Sequence, residues 1–331
     1  MNEYKFALRD IVSGKCIRQL STTPATPPIP IPRDSQTAQL PDGRTLGYSE
    51  YGSSNPSDKA IFYFYGTPSS RLAASWTHDI ASSLGARIIC VDRPGFGLST
   101  FLPSRKNLDW PTDVLHLLRH LRIDHFRVLG ASGGGPYALA CARALPRDVL
   151  RGVGVWSGVG PREAGWSDIW PEARLLWNLY SYFPSAVRLV VDNAVVPMVQ
   201  NPNRAMLKAR FLKEIAWMPE AEKAVLYGKD GKSVDTLLDS VRESFRQGSR
   251  GYLQEMKLLA RPWGFQVEDI SFEHVRLWYG TEDVNTPARM GCYIADRLKR
   301  PLLQVWVGHT HFTSPVGGGE RVLRAMLRDI E

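Results

Sequence analysis

Gly130-Ala131-Ser132-Gly133-Gly134 stands between an apolar run at 126–129 (FRVL) and an amphipathic stretch at 137–144. A chain that leaves a strand and enters a helix through so few residues must reverse sharply. The glycines around Ser132 let the backbone do so without clashes. Average glycine and serine usage gives a G-x-S-x-G by chance in roughly one chain in ten of this length, so the flanking pattern carries the weight. Such a turn lifts a serine hydroxyl clear of a sheet. It also aims a helix N-terminus at any negative charge that develops there.

The same alternation runs through most of the chain. Residues 60–65 (AIFYFY), 87–91 (RIICV), 153–156, 275–279 and 302–307 are continuous apolar runs of strand length, as expected of strands covered on both faces. Residues 71–84, 108–121, 290–298 and 320–330 carry apolar side chains at i, i+3, i+4 spacing, which predicts helices. Strand then helix, repeated, predicts a parallel sheet wrapped on both sides. Residues 37–52 read as a hairpin turning at Asp42-Gly43. Upstream, residues 1–20 suggest an edge strand or a short helix, and Pro24, Pro27, Pro28, Pro30 and Pro32 an extended connector.

The alternation stops over 161–268. That stretch is helical in character and rich in aromatics: Trp166, Trp170, Trp177, Tyr180, Tyr182, Phe183 and Trp217. It reads as a helical insertion between two strands, a packed subdomain and, compatibly with that, a lid over a pocket. The expected organisation is an N-terminal extension over 1–36, an α/β core over 37–160 and 269–331, and the insertion over 161–268.

Composition narrows the function classes. Apolar residues make up 44% of 331, enough for a sizeable core, and the net charge is +8. The basic residues are spread out. Their densest groups, Lys208 with Arg210 and Arg297 with Lys299 and Arg300, sit beside apolar residues at helical spacing, as solvated helix faces do. No nucleic-acid partner is expected. The four cysteines (Cys16, Cys90, Cys141, Cys292) form no CxxC pair and suit no zinc site. Cys90 and Cys141 lie in apolar segments and read as buried free thiols, which fits a reducing, cytoplasmic compartment. The first residues lack the apolar stretch of a signal peptide, and no apolar run reaches about 18 residues, so no transmembrane helix is expected. Nothing in the sequence signals an oligomeric state.

Taken together, the motifs resemble the α/β-hydrolase family, in the branch whose members carry a helical lid. The resemblance spans about residues 37–331. It implies a mostly parallel central sheet flanked by helices, with Ser132 as nucleophile. It also implies two oxyanion donors, the backbone N–H groups of Gly133 and Thr67. Thr67 lies in Tyr65-Gly66-Thr67-Pro68, which is similar to the family's His-Gly-x-Pro. Tyr65 replaces a histidine that braces this loop in the family, so the loop geometry is open to change. The segment from Asp92 to Ser99 resembles the family's D-x-P-G-x-G-x-S, an architectural element.

In this family the acid follows a late strand. Gly280-Thr281-Glu282-Asp283 offers Asp283 in a G-x-x-D pattern, with Glu282 competing. The turn one strand earlier, 157–160 (SGVG), has no carboxylate. The base follows the last strand, where Gly308-His309-Thr310-His311-Phe312-Thr313 holds two histidines. His309 follows a glycine, as in a common Gly-His pair. His311 fits the family's His-hydrophobic-Ser/Thr ending and is preferred. The resemblance thus implies a serine hydrolase using Ser132, Asp283 and His311 on an ester, lactone or thioester, with no metal or organic cofactor, and the aromatic-rich insertion suggests a mostly apolar small molecule as its substrate. The same site could serve ring closure, condensation or C–C cleavage, or a ligand receptor with little turnover, because a fold and a triad do not fix the reaction.

Overall fold

Eight strands form one sheet in a computed structural model that describes residues 33–55, 58–216, 218, 220–227, 232–313 and 318–328. The expectations for residues 1–20, the proline-rich stretch, Cys16 and Trp217 lie outside these residues. The strands are β1 (Arg33–Gln39), β2 (Thr45–Gly52), β3 (Lys59–Phe64), β4 (Ala86–Val91), β5 (Phe126–Ala131), β6 (Leu150–Trp156), β7 (Arg276–Gly280) and β8 (Leu302–Trp306). Their order across the sheet is β1-β2-β4-β3-β5-β6-β7-β8. β2 runs antiparallel to both β1 and β4, and the remaining pairs are parallel.

Successive side chains of the central strands serve opposite faces. Phe62 and Phe64 join one core with Val91, Val128 and Leu277. Ile61, Tyr63 and Tyr65 join the other with Ile88, Leu129 and Trp278. Helices α1 (His78–Ser83), α2 (Trp110–His120) and α3 (Gly135–Ala144) follow β3, β4 and β5. Between β6 and β7 come α4 (Pro171–Tyr182), α5 (Pro184–Val190), α6 (Val196–Val199), α7 (Arg204–Glu214), α8 (Glu220–Tyr227), α9 (Lys232–Ser244) and α10 (Arg250–Ala260). Helices α11 (Ala288–Ala295) and α12 (Gly319–Leu327) complete the chain. Trp110, Val114, Tyr137, Met290 and Ile294 cover one face; Ala74, Ala81, Val322, Leu323 and Met326 cover the other.

Three local expectations change. Among the described residues the hairpin reaches upstream of 37 to Arg33, because β1 is an exposed edge strand whose polar residues carry no hydrophobic signal. Residues 71–84 do not form one α-helix: Arg71–Thr77 is a 3-10 helix, and α1 starts only at His78. The Thr77 hydroxyl donates to the Ala74 carbonyl at 2.6 Å, a local bond that competes with α-helical pairing. Finally, β8 is not covered on both faces, since it is the opposite edge, and Leu302 and Val305 are exposed.

Helices α4–α10 form two cores of their own, one around Tyr180, Val187, Phe245 and Met256, the other around Leu207, Leu226, Val234 and Leu238. Cys90 and Cys141 are buried free thiols and Cys292 is exposed. Among the described residues, no helix is long and apolar enough to cross a membrane.

Candidate active site

β5 delivers the chain to Ser132, whose φ of +51° lies in the left-handed region. A non-glycine residue held there is strained and persists only where its surroundings over-determine it. The surroundings are tight. A Cβ at Gly130 would lie 2.4 Å from the Gly134 carbonyl oxygen, and one at Gly134 would lie 2.0 Å from the Phe64 carbonyl oxygen. Only glycine fits at these two points. The Ser132 carbonyl accepts from the Val159 N–H at 2.9 Å, which ties the turn to the loop after β6. Ser132 keeps partial exposure while Gly133 and Gly134 are buried.

The loops after β7 and β8 open at the same carboxyl edge of the sheet. There Asp283 Oδ2 lies 2.8 Å from His311 Nδ1. Asp283 Oδ1 accepts from the N–H groups of Asn285 and Thr286 at 2.9 and 2.8 Å. The Thr286 hydroxyl lies 2.8 Å from Asp283 Oδ2 and 2.9 Å from the Ser157 carbonyl oxygen, so its one proton serves either acceptor. Thr286 gives no sign in the sequence beyond its place in the loop.

Burial pushes the Asp283 carboxyl up, but His311 and the bonds from His311 and Thr286 outweigh it and hold it below the usual carboxylate range. Burial likewise pushes His311 down, but Asp283 outweighs it and the net shift is upward, with Glu222 of α8 adding to it. Of the competing residues, Glu282 is exposed. His309 packs its ring against Trp306, with centroids 5.5 Å apart.

The loop after β3 faces the serine turn. A Cβ at Gly66 would lie 3.3 Å from Ser132 Oγ, and one at Gly133 would lie 2.7 Å from Thr67 Oγ1. Thr67 and Gly133 are therefore neighbours. Tyr65 is fully buried, and its hydroxyl accepts from the Arg93 N–H at 3.0 Å, tying the loops after β3 and β4 together. Asp92 beside it is fully buried and accepts from the Arg71 and Leu98 N–H groups at 2.7 and 2.9 Å, a structural role.

Sequence reasoning misses a buried charged cluster behind this loop. The Arg93 guanidinium lies 4.2 Å from the centroid of the Tyr65 ring. It donates to the carbonyls of Tyr65 and Gly66 at 2.8 and 3.2 Å and to Thr67 Oγ1 at 2.9 Å. Its Nε pairs with Glu255 Oε1 of α10 at 2.9 Å. Glu255 Oε2 pairs with Arg105 and accepts from the Tyr137 hydroxyl at 2.7 Å. Arg93 and Glu255 are fully buried. Burial pushes the Glu255 carboxyl up, but Arg93 and Arg105 outweigh it and hold it low.

The strand order, the antiparallel second strand and the strained serine between β5 and α3 define an α/β-hydrolase fold. The sequence profile described as the alpha/beta hydrolase family matches residues 66–324, and the chain belongs to that family.

Solved structures similar to it include the esterase RhEst1 from Rhodococcus sp. ECU1013, at 17% identity and a TM-score of 0.60, with 89% of this chain and 98% of that one covered. A hydrolase from Pseudomonas aeruginosa PA01 aligns at 17% identity and a TM-score of 0.63, with 89% and 98% covered. The esterase EaEST from Exiguobacterium antarcticum aligns at 13% identity and 0.62, with 88% and 99% covered. At such identities the likeness is one of fold. No curated protein matches the chain.

Proposed function

We propose that the protein is an esterase-like serine hydrolase in which Ser132 is the nucleophile, His311 the base and Asp283 the acid. The substrate would be an ester, lactone or thioester of a mostly apolar small molecule. The observation that carries this reading is the Asp283–His311 contact of 2.8 Å, at the sheet edge where Ser132 stands in a strained turn. With Nδ1 engaged by Asp283, the His311 Nε2 is left to take the Ser132 proton. Ser132 Oγ attacks the carbonyl carbon, and the N–H groups of Thr67 and Gly133 meet the oxygen as it gains charge. His311 then returns the proton to the leaving alkoxide or thiolate. The acyl-enzyme is hydrolysed by a water that the same histidine activates. Every step uses the chain's own groups, and the mechanism calls on no metal or organic cofactor.

Residues 161–268 act in this reading as a lid over a core formed by 37–160 and 269–331. Phe312, next to His311, packs against the cluster of Leu207 and Leu226 in this insertion. Leu259 of α10 lies 3.3 Å from where a Gly133 Cβ would stand. Apolar groups thus reach the site from the insertion, which supports an apolar substrate. The free thiols fit a cytoplasmic location. The test is labelling with a fluorophosphonate probe, mapped by mass spectrometry, with Ser132→Ala as control and a short- to long-chain ester panel alongside. A label on Ser132 that the variant loses is expected. A folded protein with no label would overturn the reading.

A further inference from the structure

The peptide unit joining Gly66 to Thr67 has two ends that matter. Its N–H belongs to Thr67, the proposed oxyanion donor. Its C=O belongs to Gly66, and Arg93 Nη2 donates to that oxygen at 3.2 Å. In a planar trans peptide the C=O and N–H point in opposite directions. A group that grips the carbonyl from behind therefore aims the N–H forward and polarises it. Arg93 also grips the neighbouring carbonyl of Tyr65 and the Thr67 hydroxyl, at 2.8 and 2.9 Å. A planar guanidinium spreads its donors in one rigid fork across these three acceptors, whereas an ammonium gathers its three donors on a single nitrogen at the end of a flexible stem.

A fully buried guanidinium needs a counter-charge. Asp92, the adjacent carboxylate, is taken up by Arg71 at 3.0 Å. The counter-charge to Arg93 comes from α10 instead, through Glu255 Oε1 at 2.9 Å. Glu255 Oε1 also lies 3.4 Å from Thr67 Oγ1. Its other oxygen is held by Arg105 and Tyr137. One carboxylate of the inserted helices is thus wired to the peptide that faces the serine.

We infer that Arg93 and Glu255 are positioning residues for the oxyanion hole: Arg93 aims the Thr67 N–H, and Glu255 makes that aim depend on the seating of α10. The assignment rests on the hydrolase reading above. A positioning role acts on the transition state more than on the bound substrate, so it lowers kcat and spares KM.

Arg93→Lys keeps the charge and loses the fork. Glu255→Gln keeps the shape and loses the counter-charge. Both are assayed for kcat and KM on a short-chain p-nitrophenyl ester, for the second-order rate of fluorophosphonate labelling, and for melting temperature. Removing one oxyanion donor lowers kcat by about 10²–10³-fold. Arg93→Lys, which leaves the donor present but badly aimed, is expected to lower kcat by at least about tenfold. Glu255→Gln should lower it by a few-fold to about tenfold. The labelling rate should fall in parallel, with KM within about threefold of the wild type.

Folded variants with wild-type kcat and labelling rate would overturn the assignment. So would losses in which KM rises as much as kcat falls, which indicate a displaced lid and nothing more. If Arg93→Lys does not fold, Glu255→Gln decides alone. A wild-type protein that takes no label on Ser132 removes the hydrolase reading and this assignment with it. A labelled wild type beside unaffected variants removes only this assignment.

Discussion

Replacing Asp283 by Asn separates the chemistry of the site from its stability. The four acceptor positions of this carboxylate are filled by the N–H groups of Asn285 and Thr286, the Thr286 hydroxyl and His311 Nδ1. An Asn with its oxygen in the Oδ1 place keeps both backbone bonds. Its NH₂, in the Oδ2 place, donates to the Thr286 hydroxyl, whose own proton turns to the Ser157 carbonyl 2.9 Å away. Hydrogen bonds are exchanged and none is orphaned, so stability changes by no more than about 2 kcal/mol.

The catalytic cost is larger. A carboxylate and an imidazolium about 4 Å apart at an effective dielectric constant of about 20 attract by about 4 kcal/mol. That is about 10³ in rate. The NH₂ also favours the wrong histidine tautomer, which brings the expected loss of kcat/KM to between about 10³ and 10⁴. With the charge gone, burial pushes His311 down against Glu222 alone, so whatever activity remains should start to rise at lower pH than in the wild type. The assay is ester hydrolysis across pH 5 to 9 beside a urea titration. An Asp283→Asn variant within tenfold of wild-type kcat/KM, with the same pH profile, would refute the role given to Asp283.

Three further outcomes follow from the same geometry. His311→Ala should lose at least about 10³ in kcat while His309→Ala stays within about threefold, and a comparable loss in both would reopen the choice of base. Asp283 is held low, so its stabilisation is present above its ordinary value of about 3.8 and lost as pH falls through the folded value. His311 is raised, so its stabilisation is present below about 6.5 and lost as pH rises through the folded value. The wild type should therefore exceed His311→Ala in urea midpoint most clearly between about pH 4 and 6.5, and a gap that widens above pH 7 contradicts the pairing. Gly134→Ala forces a methyl to within 2.0 Å of the Phe64 carbonyl oxygen. It should cost at least about 2 kcal/mol in urea unfolding and slow Ser132 labelling, so a stable, normally labelled variant would mean the turn is looser than described.

The parts of the candidate site that are legible in the sequence are those imposed by backbone sterics or by order along the chain together with the family resemblance. Gly130 and Gly134 advertise the turn at Ser132 because no other residue fits there. The family resemblance points to Asp283 and His311 after two late strands, where strand order alone leaves Glu282 and His309 as competitors. The cluster of Arg93, Arg105 and Glu255 was not legible. Arg105 and Glu255 stand 150 residues apart, and charges in helical or loop segments look like solvated faces until the fold buries them. Tyr65 illustrates the same limit. The replacement of histidine was visible, but the bond from the Arg93 N–H that makes it a brace depends on the loop after a neighbouring strand. The aromatic richness of the insertion was also ambiguous, since Tyr180 is buried in its core while Tyr182 and Phe183 face solvent.

The way charge is shared across the boundary of the insertion bears on how this protein could be rebuilt. Arg71, Arg93 and Arg105 belong to the sheet side and are buried, while two of the carboxylates facing them, Glu243 and Glu255, belong to α9 and α10. A chimera that swaps residues 161–268 for a helical segment from another hydrolase would take from Arg93 and Arg105 the carboxylate they share, Glu255, while Arg71 would lose Glu243 and keep Asp92. An uncompensated buried charge costs about 3–5 kcal/mol, comparable to much of a domain's net stability. Transplants should therefore be accepted only from donors that bring acidic residues to the same two places.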